Sequence, residues 1–101
     1  YEIGYKQSVH TGNAYIISEV SGERNYYEIE IENLDFGRYA GNKGILFEVT
    51  DEKLLAKTGG IVQGMSGSPI IQDGRLIGAV THVFINDPTK GYGIFIENML
   101  Q

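Results

Sequence analysis

At 101 residues, with 42% hydrophobic and 21% charged side chains, the chain has room for one core and the composition of a folded domain, which excludes a second domain and bulk disorder. Thirteen acidic against eight basic side chains leave a net charge of −5, a surface that repels phosphate backbones and disfavours nucleic acid as a partner. No cysteine is present, so a disulfide, a thiol nucleophile and a Cys-based zinc site are excluded.

Residues 13–20 carry Ala14-Tyr15-Ile16-Ile17 and read as a strand, joined through Ser21-Gly22-Glu23-Arg24 to a second one. In Tyr27-Glu28-Ile29-Glu30-Ile31-Glu32 the apolar residues take odd positions and the carboxylates even ones, the period of a strand buried on one face. The Glu triplet is therefore expected on the solvent face. The pair forms a hairpin.

The Gly-containing stretch 37–44 is a loop, and Ile45-Leu46-Phe47-Glu48-Val49 a short apolar strand. Thr50 or Asp51 then resembles an N-cap for a turn or two of helix in Glu52-Lys53-Leu54-Leu55-Ala56-Lys57, ended by Gly59-Gly60.

Asp73-Gly74 separates Pro69-Ile70-Ile71-Gln72 from an apolar run over 75–84, a strong hairpin signal. Residues 86–91 form a loop with turn chemistry in Asn86-Asp87-Pro88, residues 92–96 a strand, and 97–101 the start of a helix. Short strands at near-regular spacing predict a mostly β domain, a small barrel or sandwich. No apolar run approaches the roughly 18–20 residues that span a bilayer. The chain does not open with Met and its first residues are not a signal peptide, so any export or membrane segment is expected upstream of Tyr1.

Residues 59–69 stand apart, because Gly59, Gly60, Gly64 and Gly67 make this loop costly to order. Glycines flanking Ser66 let the backbone turn tightly and aim N–H groups into one small volume, as an oxyanion requires. The same string is also compatible with a plain turn between helix and strand.

Gly64-Met65-Ser66-Gly67-Ser68-Pro69 is similar to the Gly-Asp-Ser-Gly-Gly-Pro nucleophile loop of chymotrypsin-like peptidases. A longer match runs from Thr58-Gly59-Gly60-Ile61-Val62-Gln63 through that loop to Ile77-Gly78-Ala79-Val80-Thr81-His82-Val83-Phe84, Asn86-Asp87-Pro88 and Gly91-Tyr92-Gly93. This resembles the C-terminal part of the SpoIVB peptidase family, serine peptidases of endospore-forming bacteria. The likeness is specific over about residues 49–100 and looser over 5–47, where Gly12, Ala14 and Ile16 carry it.

The resemblance implies an all-β fold, a small antiparallel barrel like one half of a chymotrypsin-like double barrel with one or two short helical turns. Residues 1–101 would then be the C-terminal subdomain of a peptidase domain, a fragment of a longer protein. It implies Ser66 as the nucleophile, the N–H groups of Gly64 and Ser66 as the oxyanion hole, and Asp51, fifteen positions ahead of Ser66, as the acid of a Ser-His-Asp triad. Asp51 serves as both N-cap and orienting acid only if different oxygens take each role.

The family's histidine belongs to a Gly-His element in the first half of the peptidase domain, and no such element is present here. His10 reads as a loop residue at a strand start. His82 stands on a strand shortly after Ser66, and its role is open between a structural histidine, a cleft residue and an alternative base. No metal or cofactor is expected, since no His and carboxylates stand at ligand spacing.

The family setting further implies secretion into the space between the forespore and mother-cell membranes, self-cleavage, and cleavage of a membrane-bound sporulation regulator in a signalling cascade. Three rival expectations stand beside one another: a fragment lacking its base, whose meeting face with the missing half is an exposed apolar surface; a complete triad with His82; and a non-catalytic module adding a peptide strand along Gly91-Tyr92-Gly93 and Ile94-Phe95-Ile96.

Overall fold

A computed structural model of the chain describes residues 1–18, 23–37, 41–61 and 63–100, the side chains of Asn42 and Gln63 excepted. The hairpin read from residues 13–32 is formed by β2 (Gly12–Ser18) and β3 (Asn25–Leu34), following a short β1 (Glu2–Ile3). Ala14 lies opposite Ile29 and Ile16 opposite Tyr27, so the inward side chains of both strands meet in the core. Its expected turn at Ser21-Gly22 lies outside the described residues.

Glu30 and Glu32 point to solvent, as the alternation predicts. The Lys90 ammonium crosses to Glu32 at 3.2 Å and to Glu48 at 3.8 Å, and so links three strands on that face.

β4 (Ile45–Val49) has the predicted bounds and buries Ile45, Phe47 and Val49. α1 (Glu52–Thr58) follows, capped by Asp51 and ended by Gly59 in the left-handed conformation, one residue longer than expected. β5 (Pro69–Gln72) and β6 (Arg75–Val83) form the second hairpin through Asp73 and Gly74, whose φ values of 53° and 75° are those of a type I′ turn.

β7 (Lys90–Phe95) and α2 (Ile96–Met99) end the described chain, both starting before the predicted positions. Lys90 and Gly91 pair with Glu48 and Phe47, which extends the strand at its start. The short parallel β1 and a 3-10 turn at Lys6–Ser8 carry too few residues for any period to show.

Sheet order is β1-β6-β5-β2-β3-β4-β7, and β6 also pairs with β7. Strands β2 to β7 therefore close into a six-stranded antiparallel barrel, with β1 added in parallel on β6. Closure removes the free edges a sheet otherwise presents. This overturns one expectation: β7 has β4 on one side and β6 on the other, so residues 91–96 offer no open edge to a peptide.

The interior is filled by Ile16, Ile29, Ile31, Phe47, Ile70, Ile77, Val80 and Phe95 together with Leu54 and Met65. Outside it, Tyr1, Tyr15 and Tyr26 remain exposed along the outer face of the β2–β3 hairpin, with the Tyr1 and Tyr26 hydroxyls 2.9 Å apart. Among the described residues no helix is long and apolar enough to cross a membrane.

Candidate active site

Strand registers sort the loops by barrel end. Val49 lies opposite Ile29, Lys90 opposite Glu48, Gly91 opposite Val83, and Pro69 opposite Ala79. The Asp51 corner, the 59–68 loop and the 84–89 loop therefore share one end of the barrel. His82 stands near the same end. His10 is at the other, where its ring Nε2 meets Asp73 Oδ2 at 2.8 Å beside the β5–β6 turn.

The excursion between β4 and the serine loop is held at both ends by one corner of the chain. Val49 N donates to the Thr89 carbonyl at 2.6 Å, and Ile61 N to the Pro88 carbonyl at 2.7 Å. Asp87 fixes that corner by accepting from the hydroxyl and the N–H of Thr89, contacts that hold its carboxyl below the usual carboxylate range. At Gly60 (φ 142°) a Cβ would stand 2.2 Å from the Pro88 carbonyl oxygen, so only glycine fits this approach.

The serine loop is a 3-10 turn at Gln63–Met65 followed by a turn at Ser66 and Gly67. Met65 is wholly buried and plugs the barrel end, while Gly64 and Ser66 on either side of it are exposed. The far side is tied to β6: Gly67 N donates to the Val80 carbonyl at 2.7 Å, and Val80 N to the Ser68 carbonyl at 2.9 Å. Gly67 has φ 89°, in the left-handed region, whereas Gly64 has no positive φ and nothing within 4 Å of where a Cβ would stand. Ser66 is thus presented on a loop pinned on both flanks.

Asp51 Oδ1 accepts from Leu54 N at 3.0 Å as the helix cap, and Oδ2 accepts from Glu28 N at 3.1 Å. The two oxygens thus do different work, both toward backbone. An open depression beside the carboxyl is lined by Tyr26, Tyr27, Thr50, Glu52 and Lys53. Among the described residues no hydrogen bond joins Asp51, His82 and Ser66.

His82 is exposed and lies opposite Tyr92. It borders a second hollow with Lys43, Phe84, Ile85 and Tyr92, a grouping that the sequence reading did not find because Lys43 comes from a 3-10 turn, Gly41–Lys43, far from His82 in the chain. Likewise unread was the Pro88–Thr89 corner, which the sequence shows only as turn chemistry. No group of three or more metal-ligating side chains occurs among the described residues.

A family model, SpoIVB peptidase S55, matches residues 1–100. The match therefore includes the first half of the chain, where the resemblance read from residues 5–47 was loose. No curated protein and no solved structure matches.

Proposed function

Because the chain belongs to the SpoIVB peptidase S55 family, we propose that it is the nucleophile-bearing subdomain of a serine endopeptidase, with Ser66 as nucleophile and the general base supplied from outside these residues. In this reading Ser66 Oγ bonds to the scissile carbonyl carbon while its proton passes to a histidine of an upstream subdomain. That proton then goes to the departing amine as the peptide C–N bond breaks, and water releases the acyl group by the same route in reverse. Asp51 orients the imidazole and stabilises it when charged, through whichever carboxylate lone pairs its two backbone N–H partners leave open.

The observation that carries the reading is Gly64. Nothing in the fold requires glycine there, since the site is open and φ is not positive. A 3-10 turn directs its N–H groups back along its own axis. Forming an oxyanion hole from Gly64 and Ser66 therefore requires the Gln63–Gly64 peptide to rotate, and glycine permits the positive φ that such a rotation demands. Each donor so placed is worth about 100- to 1000-fold in turnover.

The family setting extends the proposal to a protein substrate, a membrane-bound sporulation regulator in a signalling cascade, to self-cleavage, and to action between the forespore and mother-cell membranes.

Labelling by a fluorophosphonate probe tests the core of it, comparing the 101-residue chain with the natural protein extended upstream through a Gly-His element. The expected result is labelling of the extended form alone, abolished in Ser66→Ala and reduced about 10,000-fold in Asp51→Asn, which keeps a capping oxygen but loses the carboxylate. Labelling of the short chain that disappears in His82→Ala would instead make His82 the base. Absence of labelling in both forms would overturn the catalytic reading.

A further inference from the structure

Asn86-Asp87-Pro88, read from the sequence as turn chemistry, sits where three stretches of chain meet. The Lys90 N–H donates to the Asp87 carbonyl at 3.0 Å and closes a tight turn. Within it Asp87 Oδ1 accepts from the Thr89 N–H at 3.1 Å and from the Thr89 hydroxyl. A peptide unit is planar, so holding the Thr89 N–H fixes the direction in which the Pro88 carbonyl points. The hydroxyl contact holds Thr89 itself, whose own carbonyl comes next.

Those two carbonyls accept from Ile61 N at 2.7 Å and Val49 N at 2.6 Å. Both donors belong to buried residues, where an N–H left without an acceptor is costly. Val49 stands two residues before Asp51, and Ile61 five before Ser66. Residues 50–60 are thus an excursion whose two feet rest on neighbouring carbonyls. The fit has no slack, since a Cβ on Gly60 would meet the Pro88 oxygen at 2.2 Å and Thr89 N at 3.0 Å. A tilt of the Pro88–Thr89 peptide therefore moves both feet. The far flank of the serine loop is tied elsewhere, by Gly67 N to the Val80 carbonyl, so the tilt alters the spacing between Asp51 and Ser66 instead of carrying them together.

We propose that Asp87 is a positioning residue of the peptidase: its carboxylate orients the Pro88–Thr89 peptide and thereby sets the spacing between Asp51 and Ser66 through backbone alone. The inference rests on the assignment of Ser66 as nucleophile and Asp51 as the orienting acid. A misplacement of about 1 Å costs on the order of 100-fold in rate. Two hydrogen bonds within one turn contribute little to overall stability by comparison. The role therefore separates rate from folding. What Asp87 supplies is an acceptor oxygen in a set place, which the side-chain amide of asparagine also offers.

The test uses the natural protein extended upstream through a Gly-His element, in Asp87→Ala, Asp87→Asn and Thr89→Val forms, with fluorophosphonate labelling of Ser66 followed over a range of probe concentrations. In Asp87→Ala the maximal labelling rate is expected to fall about 10- to 100-fold, with the half-saturating probe concentration unchanged within about twofold. Asp87→Asn restores the rate to within about threefold of wild type. Thr89→Val, which removes one of the two donors at similar shape, falls between them. A maximal rate in Asp87→Ala within about twofold of wild type overturns the inference while leaving Ser66 as nucleophile, and so does an Asp87→Asn form as slow as Asp87→Ala.

Should the wild-type extended protein itself resist labelling, the nucleophile reading fails, and amide hydrogen exchange in the same proteins still reads the corner. Faster exchange of the Val49 and Ile61 N–H groups together in Asp87→Ala, reversed in Asp87→Asn while the amides of the β2–β3 hairpin stay protected, supports Asp87 as the residue that sets the spacing. Unchanged exchange at either amide overturns it. If Asp87→Ala loses protection throughout the chain, the same two outcomes are read in Thr89→Val.

Discussion

The two ends of the serine loop use glycine for different reasons. At Gly60 the backbone of Pro88 stands where a side chain would begin, and the neighbouring Ile61 N–H is bonded to the same carbonyl. At Gly64, four residues on, the surroundings are empty and the conformation is open to any residue. One glycine is demanded by packing and the other is not. Gly67 is intermediate, with a positive φ but empty space around it.

Substitutions along this loop sharpen the contrast, beginning with the largest effect. Gly60→Ala is expected to destabilise the protein by about 3–5 kcal/mol, because backbone must move and the Ile61–Pro88 bond with it. Chemical denaturation reads this directly, and wild-type stability would mean that the corner does not hold the loop. Gly67→Ala meets no atom and carries only the strain of the left-handed conformation, about 1–2 kcal/mol by the same measurement.

Gly64→Ala is expected to leave stability within about 0.5 kcal/mol while slowing fluorophosphonate labelling of Ser66 about tenfold or more in the extended protein. Loss of stability without loss of labelling would reverse the contrast drawn between the two glycines.

The smallest effect lies at the opposite end of the barrel. The Thr11 carbonyl and the Asp73 carboxylate face the two ring nitrogens of His10, and both contacts are satisfied only by the imidazolium, which raises its pKa above the ordinary value. The stabilisation is fully present below about pH 6.5, the unfolded value, and is lost as pH rises through the higher folded value. Since both side chains are more than half exposed, the effect on stability is small. An NMR titration of His10 is expected to move down in Asp73→Asn, with labelling of Ser66 unaltered; a coupled change in labelling would show that the two barrel ends communicate.

Much of the local structure was legible because it depends on near neighbours. The alternation over 27–32, the Asp73-Gly74 turn and the Asp51 cap each rest on residues within one strand, turn or helical turn, and each stands where its pattern places it. Where strand ends were displaced, as at Lys90, the cause is a partner from β4 and an ion pair with Glu32 that no local pattern contains. The supposed free edge at 91–96 failed for the same reason: whether a strand is an edge depends on β4 and β6, not on its own residues.

The sequence by itself determined strands β2 to β7, the two hairpins and the serine loop with its family likeness, since short-range periodicity and turn chemistry act over a few residues, while that periodicity left barrel and sandwich open. Only the tertiary structure decided that Asp51, Ser66 and His82 belong to one barrel end and His10 to the other, and that Asp51 has both oxygens on backbone. It also separated the glycine that packing requires from the one it does not. These depend on closure of the barrel between β6 and β7, a contact between distant segments whose register is fixed by which side chains fill the shared core.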